Sequence, residues 1–465
     1  MTATETPRGT EYGARRNDVE TAADGSELPR EGRPGRSWLK GLGGSTETAD
    51  RIDTSVFAAA FRAYAAQHSI VVNRPTGFLP SDRFVIVRAF TTAGIGNRMP
   101  AVVTGLFLAM TTNRTLLVDW PEFEELFDPE IDVVLTVDRK VQLASAIRER
   151  AWDEGNATSE AELDEAMPRF SRAMPAVGVL IPVTRVQENL AKWITTDFRT
   201  DDNFGYATVI TYRSMDYSTP LLMANPTMRP WFEALFGTEP GGLHPFHAAA
   251  KHLFRPQADI EREARAFHRR HLAGAGLAVG IQVRTRKRRA TAPDLSLYFS
   301  TALGIGRSRQ AARTGGDKIA PLRFFVASDR LEVADVMERA LSPHPVFATR
   351  DVSLENPDQN RNPGTDRAAV VDMRILALCD ELVVTFGSSF GQVAAAWGGI
   401  SSVVIMHGTH AGWDRPFWWA TGGITEPCMF EGRRIAGFGQ SDSFSELYGQ
   451  WVQMPLWTYH SQCHW

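Results

Sequence analysis

The chain has 465 residues, 43% hydrophobic and 22% charged, enough to bury a large core in two or three domains. A formal net charge of -4 argues against nonspecific nucleic-acid binding, which needs a strongly basic face, so any anion site must be local. Three cysteines, Cys379, Cys428 and Cys463, are too few for a disulfide framework and form no paired zinc spacing; a Cys428 to Cys463 bridge stays open in an oxidising compartment.

Residues 1–53 hold almost no large apolar side chains and cannot offset their ordering entropy, so a disordered leader is expected there. No run approaches the roughly 20 apolar residues that span a bilayer, and the chain as given reads as soluble and cytoplasmic, with no membrane segment. The spacing of Val56, Phe57, Ala60, Phe61 and Tyr64 predicts a helix over 54–69, turning extended at Val71-Val72. Next come a strand at Phe84 to Val87, a loop from Thr91 to Arg98, a helix from Met99 to about Asn113 with Pro100 in its first turn, and a strand at Leu116 to Val118. Gly94 and Gly96 let that loop pass close to a ligand, and the following helix offers free N–H groups and a positive dipole end. Asn97 and Arg98 are therefore candidate anion contacts, although strand-to-helix turns also need glycine for steric reasons alone.

Residues from about 121 to 250 are harder to read. Asp216 follows a strand-like run and precedes Pro220, which suits a cleft-facing loop or a plain turn. From Leu277 the alternation is regular. Strands are expected at 277–284, 322–327, 382–384 and 403–405, with helices at 330–341, through Ile375-Leu376, and after the loop Gly387 to Gly391. Such alternation predicts an α/β fold with a doubly wound parallel sheet and right-handed crossovers.

Ligands of such sheets collect beyond the carboxyl ends of the strands, where Arg284, Asp329, Ser388 and Ser389 would meet. A guanidinium suits a diphosphate, the serines and nearby N–H groups suit its oxygens, and Asp329 suits base or ribose. Asp372 is a second ribose candidate or a helix-surface carboxylate. The run Arg286 to Arg289 either raises the local potential or is a solvated face. No Asp-x-Asp pair closes a strand, so no metal or other cofactor is expected; His460, Cys463 and His464 form only a short terminal cluster.

These residues resemble the plant-type α-1,2-fucosyltransferases, the xyloglucan fucosyltransferase group. Gly94-Ile95-Gly96-Asn97-Arg98 with Phe107 to Asp119 resembles the family's GLGNR loop, helix and strand. Val279 to Arg284 resembles its GxQIR donor motif, Phe386 to Gly399 its STFG segment, and Glu426-Pro427-Cys428 its EPC element. The similarity runs over about residues 80 to 432 in the same order. It implies a GT-B-like fold, two Rossmann-like domains facing across a cleft: 54–273 on the acceptor side, and 274–465 binding GDP-fucose and carrying a C-terminal extension.

The implied activity is inverting, metal-independent transfer of L-fucose from GDP-β-L-fucose to a sugar hydroxyl, the 2-OH of a galactosyl residue. The implied donor site adds Gln282, Phe390 and Gly391 to Gly94, Gly96, Asn97, Arg98, Arg284, Asp329, Asp372, Ser388 and Ser389. Asp216 inherits an acceptor-orienting or proton-accepting role from a DQYFxP-like segment, in which Tyr217, Ser218 and Thr219 depart from the family pattern. The acceptor is a glycan or oligosaccharide; xyloglucan, a glycoprotein glycan and a secreted polysaccharide all stay open. A signal anchor at the true N-terminus would place the protein in the Golgi lumen. A non-catalytic sugar-nucleotide-binding protein, or a transferase for another nucleotide sugar, are the alternative readings.

Overall fold

The computed structural model describes residues 54–89, 93–153, 177–180, 195–201, 204–205, 207–214, 217–237, 244–274, 276–285, 292–314, 321–350, 363–406, 417–420 and 426–427. The expected leader, the run Arg286 to Arg289, Asp216, Cys428, Cys463, His460 and His464 lie outside these residues.

The first half is a four-stranded parallel sheet in the order β2-β1-β4-β3, from β1 (Phe84–Arg88), β2 (Thr115–Asp119), β3 (Val177–Leu180) and β4 (Val209–Tyr212). Phe84, Val85, Ile86 and Val87 are all fully buried, as expected of a central strand covered on both faces. Helix α1 (Ser55–Val72) packs on β2 and runs on through Val71-Val72, where an extended stretch was expected. Val72 joins a buried cluster with Phe78 and Phe84, and that packing outweighs the weak helix propensity of valine.

Helix α2 (Ile95–Thr111) starts four residues before its expected first residue, Met99. The amides of Asn97 and Arg98 both donate to the Gly94 carbonyl, at 2.9 and 3.2 Å, and close a first turn that the glycines had suggested was loop. Pro100 therefore lies inside the helix, where it removes one donor.

After α3 (Val137–Asp153), α4 (Pro245–Leu253) and α5 (Ala258–Phe267), a π-helical turn (His268–Leu272) leads into the second sheet. Its strands are β5 (Ala278–Val283), β6 (Arg323–Ser328), β7 (Val346–Phe347), β8 (Glu381–Thr385), β9 (Val403–Met406) and β10 (Phe417–Ala420), in the order β10-β9-β8-β5-β6-β7. All neighbours pair in parallel except β10, an antiparallel edge strand with no forewarning in the alternation. Helices α6 (Ala292–Thr314), α7 (Leu331–Leu341), α8 (Pro363–Ala377) and α9 (Ser389–Gly398) supply the crossovers.

The architecture is α/β with two parallel sheets, a GT-B-like arrangement. One buried apolar cluster joins them: it runs from Phe57 and Val85 through α2 to Trp397 and Val404, and the Phe127 and Trp397 rings lie 6.2 Å apart. Helices α5 and α8 add ion pairs, Arg374 to Glu261 at 2.7 Å and Arg367 to Glu263 at 2.7 Å. A large apolar interface of this kind holds the two sheets in a fixed relation, where a polar one would permit hinge motion.

Candidate functional site

In the second sheet the chain passes from β5 outward through β6 to β7, then returns to place β8 on the other side of β5. Strand order thus reverses between β5 and β8, and open α/β sheets bind ligands beyond such a reversal. Strand β5 is buried along its whole length and releases Arg284 at this point. Register pairs Val283 with Ser328, so Arg284 emerges beside Asp329. Its Nη1 lies 3.2 Å from Asp329 Oδ2; the arginine side chain is 27% exposed and the aspartate 7%. The other Asp329 oxygen accepts from the Thr285 amide at 2.9 Å and from its hydroxyl at 3.1 Å. Asp329 is thereby committed to holding the arginine and the chain that follows it.

Thr385, at the end of β8, fixes the arginine's backbone. Its hydroxyl donates to the Gln282 carbonyl at 3.0 Å, accepts from the Arg284 amide at 2.9 Å, and meets the Tyr298 hydroxyl at 2.8 Å. Burial raises the Tyr298 hydroxyl well above the ordinary tyrosine range, so it stays a donor at any working pH. Sequence reasoning missed both residues. Thr385 stood one residue before the Phe386 to Gly399 segment and was within reach; nothing marked Tyr298, which is carried in by α6.

The chain leaves β8 through Gly387, at φ 66°, and Ser388 becomes the N-cap of α9. Ser388 is buried, and its side chain makes no capping bond. The helix therefore presents its first amides and dipole end without an internal partner. Ser389, Phe390 and Gly391, expected in a loop, form its first turn. A Cβ on Gly391 would fall 2.5 Å from Gln282 Oε1 and 2.9 Å from Val384, so the glycine lets α9 lie on the sheet. Gln282 is buried beneath that helix, with Oε1 accepting from the Thr385 amide at 3.3 Å.

The two halves meet here. A Cβ on Gly96 would stand 2.8 Å from both Phe390 N and Ser389 C, so α2 and α9 touch through their first turns. Gly94, the α2 N-cap, has nothing within 4 Å of where its Cβ would be, and steric need explains Gly96 but not Gly94. Asn97 is half-buried beside this contact. Arg98 points elsewhere: it is 4% exposed, donates from Nε to the Ala93 carbonyl at 2.7 Å, and reaches Asp366 on α8 at 3.2 Å and Glu122 at 3.4 Å. Its guanidinium also lies 5.1 Å from the Trp120 ring centre.

The structure thus gathers Arg284, Asp329, Gln282, Ser388, Ser389, Phe390, Gly391 and Gly96 at one rim. Asp372 sits apart from that cluster. It is buried on α8, accepts from the Thr349 hydroxyl at 2.8 Å, and lines a small pocket with Ser328, Arg330 and Thr349. Ser328 connects this pocket to Asp329. Of the segment that follows β4, Tyr217 is fully buried with its hydroxyl on Glu426, the first residue of the EPC-like element. Among the described residues, no group of three or more His, Cys, Asp or Glu side chains could hold a metal, and no helix is long and apolar enough to cross a membrane.

A family model described as xyloglucan fucosyltransferase matches residues 81–432. Fucosyltransferase 2 of Arabidopsis thaliana is 21% identical over 367 residues, spanning 74% of this chain and 66% of its own length. Probable fucosyltransferase 7 of the same plant is 23% identical over 354 residues, spanning 67% of this chain and 61% of its own length. The chain therefore covers less than two thirds of either relative. Among solved structures, a mutant of Arabidopsis thaliana FUT1 in complex with GDP superposes with a TM-score of 0.49 at 18% identity, covering 81% of this chain and 80% of that one. The NodZ α-1,6-fucosyltransferase soaked with GDP-fucose gives 0.41 at 17% identity, covering 73% and 99%. With the family model matched from before β1 to the far side of β10, the chain belongs to the xyloglucan fucosyltransferase family.

Proposed function

We propose that the protein is an inverting fucosyltransferase that moves L-fucose from GDP-β-L-fucose to a sugar hydroxyl, the 2-OH of a galactosyl residue in a glycan. The observation that carries this reading is Arg284, braced by Asp329 and Thr385 at the strand-order reversal, next to the uncapped start of α9. The second sheet holds the donor and the first faces the acceptor.

Transfer breaks the bond from fucose to the β-phosphate as the acceptor oxygen attacks the opposite face of the anomeric carbon. Negative charge grows on the departing diphosphate. Arg284, Ser388, Ser389 and the first amides of α9 bind that charge more tightly in the transition state than before it, which is what accelerates the step. A fixed guanidinium and a helix end supply this neutralisation without a metal. Asp216 takes the acceptor proton or orients the hydroxyl that loses it. Asp372, with Thr349, receives the nucleoside end of the donor. Arg98 and Gln282 act from behind: one ties α2 to α8, the other supports α9.

The test is calorimetric titration with GDP-fucose, GDP, UDP and ADP in EDTA, followed by transfer to galactosyl oligosaccharides. Binding of GDP and GDP-fucose alone, with fucosylated product, is the expected result. Donor binding without product would leave a sugar-nucleotide-binding protein, and preference for UDP would move the donor to another sugar nucleotide. Asp216→Asn is expected to keep GDP affinity and slow transfer.

A further inference from the structure

Glu426 is a carboxylate 5% exposed to solvent, in a segment that follows the edge strand of the second sheet. An ionised carboxylate is placed there only if both oxygens find donors. They do, on two different elements of the first half. Oε1 accepts from the Phe246 amide at 2.9 Å, in the first turn of α4, whose N-cap residue His244 makes no capping bond. Oε2 accepts from the hydroxyl of Tyr217, and the Tyr217 ring stands edge-on to Phe246 at 5.5 Å. The carboxylate thus caps α4 from 180 residues away and holds a tyrosine at the same time.

The held tyrosine belongs to the short segment between β4 and the helix Thr219–Ala224. On its other side that segment is fastened to α2. The Ser218 amide donates to Thr104 Oγ1 at 3.1 Å, Thr104 and Thr219 hydroxyls meet at 3.2 Å, and the Tyr212 hydroxyl donates to Ser218 at 3.2 Å. Helix α2 is the one whose first turn rests on Phe390. The segment is therefore referenced to the donor rim through α2, and Glu426 is the tie that closes it from the opposite side.

We infer that Glu426 is a positioning residue: acting through the Tyr217 hydroxyl, it fixes Tyr217, Ser218 and Thr219, and with them the acceptor side, for attack on the donor. This inference rests on the transferase reading above. Its chemistry requires a carboxylate. Glutamine offers one acceptor and one donor, so in Glu426→Gln one of the two protein donors is left without an acceptor.

The experiment uses the full chain and the variants Tyr217→Phe, Glu426→Gln and their combination, read by amide hydrogen exchange, GDP affinity and transfer kinetics. In Tyr217→Phe, exchange across 207–224 is expected to quicken while α4 keeps its protection; in Glu426→Gln both quicken. The kcat for transfer falls about tenfold, the effect of one hydrogen bond to a charged group, with GDP affinity changed about twofold or less. The double variant is expected to lose little beyond Glu426→Gln alone, since both act through one bond. Wild-type exchange and kcat in Tyr217→Phe would overturn the inference, as would a kcat loss matched by an equal loss of GDP affinity. A wild-type chain that binds no guanine nucleotide and transfers no fucose would instead sink the transferase reading, while exchange still reported whether the tie holds the segment.

Discussion

The start of α2 and the start of α9 are alike in sequence position and differ in where their arginines lie. Each follows a parallel strand and a glycine, and its N-cap makes no side-chain bond. At β8 the charged partner comes from outside, from the neighbouring strand end, and Arg284 keeps about a quarter of its side chain exposed at the rim. At β1 the motif's own arginine turns inward, is 4% exposed, and links Ala93, Glu122 and Asp366. Two similar helix starts thus treat their arginines oppositely: one keeps a guanidinium at the rim, and the other buries it between α2 and α8.

The sharpest way to break this comparison is to remove each arginine in turn. Arg284→Ala is expected to lower kcat by about 10²–10³, the effect of deleting a fixed donor at a developing anion, with little loss of folding stability. Enzyme assay beside urea unfolding checks both halves of that statement. Arg98→Ala should do the reverse. It removes a buried guanidinium that bonds Ala93 and Asp366 and packs on Trp120, at a cost of about 2 kcal/mol. Folding stability then falls more than GDP affinity does. A loss of GDP affinity larger than the loss of stability would make Arg98 a ligand contact, and the contrast would collapse.

Gly96→Ala tests where the turns meet. The added methyl would stand 2.8 Å from main-chain atoms of Ser389 and Phe390, which no side-chain rotation relieves. The helices must separate, at about 2 kcal/mol by the usual range for overpacking, visible as a lowered Tm and weaker donor binding. Gly94→Ala is the control: its Cβ enters open space, and stability is expected to hold. An unchanged Tm in Gly96→Ala would show that the contact is looser than these distances say.

Much of the second sheet was legible because its signals are local. Apolar runs such as Leu277 to Ile281 and Leu382 to Val384, short and rich in branched residues, read as buried strands, and their spacing set the alternation. The rim followed, since a strand's last polar residue must lie at its end. What stayed hidden depended on distance. Arg98 and Asp366 are 268 positions apart, and nothing near Arg98 announced that a carboxylate would arrive from α8. Thr385 and Tyr298 make a bond across 87 positions, and Glu426 caps a helix across 180. The glycine pair misled in one respect. It suggested loop through Arg98, whereas carbonyl capping by Gly94 had already begun the helix.

The far end of α9 offers the smallest and most selective test. His247 on α4 lies against Gly399, whose φ of 67° closes that helix, and its Nδ1 donates to the Trp397 carbonyl at 3.0 Å. Burial, with the Lys251 charge, lowers its pKa from 6.5 to about 4. The folded state therefore refuses a proton that the unfolded chain accepts. Stability is full above pH 6.5 and is lost as pH falls toward 4. Between pH 7.5 and 5.5 this one ring should remove about 1.3 kcal/mol. His68, also buried with a lowered pKa, shifts stability in the same direction, so the wild-type slope alone decides nothing. The difference between wild type and His247→Gln isolates the ring: the variant keeps a donor for Trp397, does not titrate, and should show the shallower acid slope in urea unfolding. Equal slopes would mean that the closing turn of α9 opens enough to admit the proton. That end of the helix would then be the loose one, and the fixed end would be the one at Gly96.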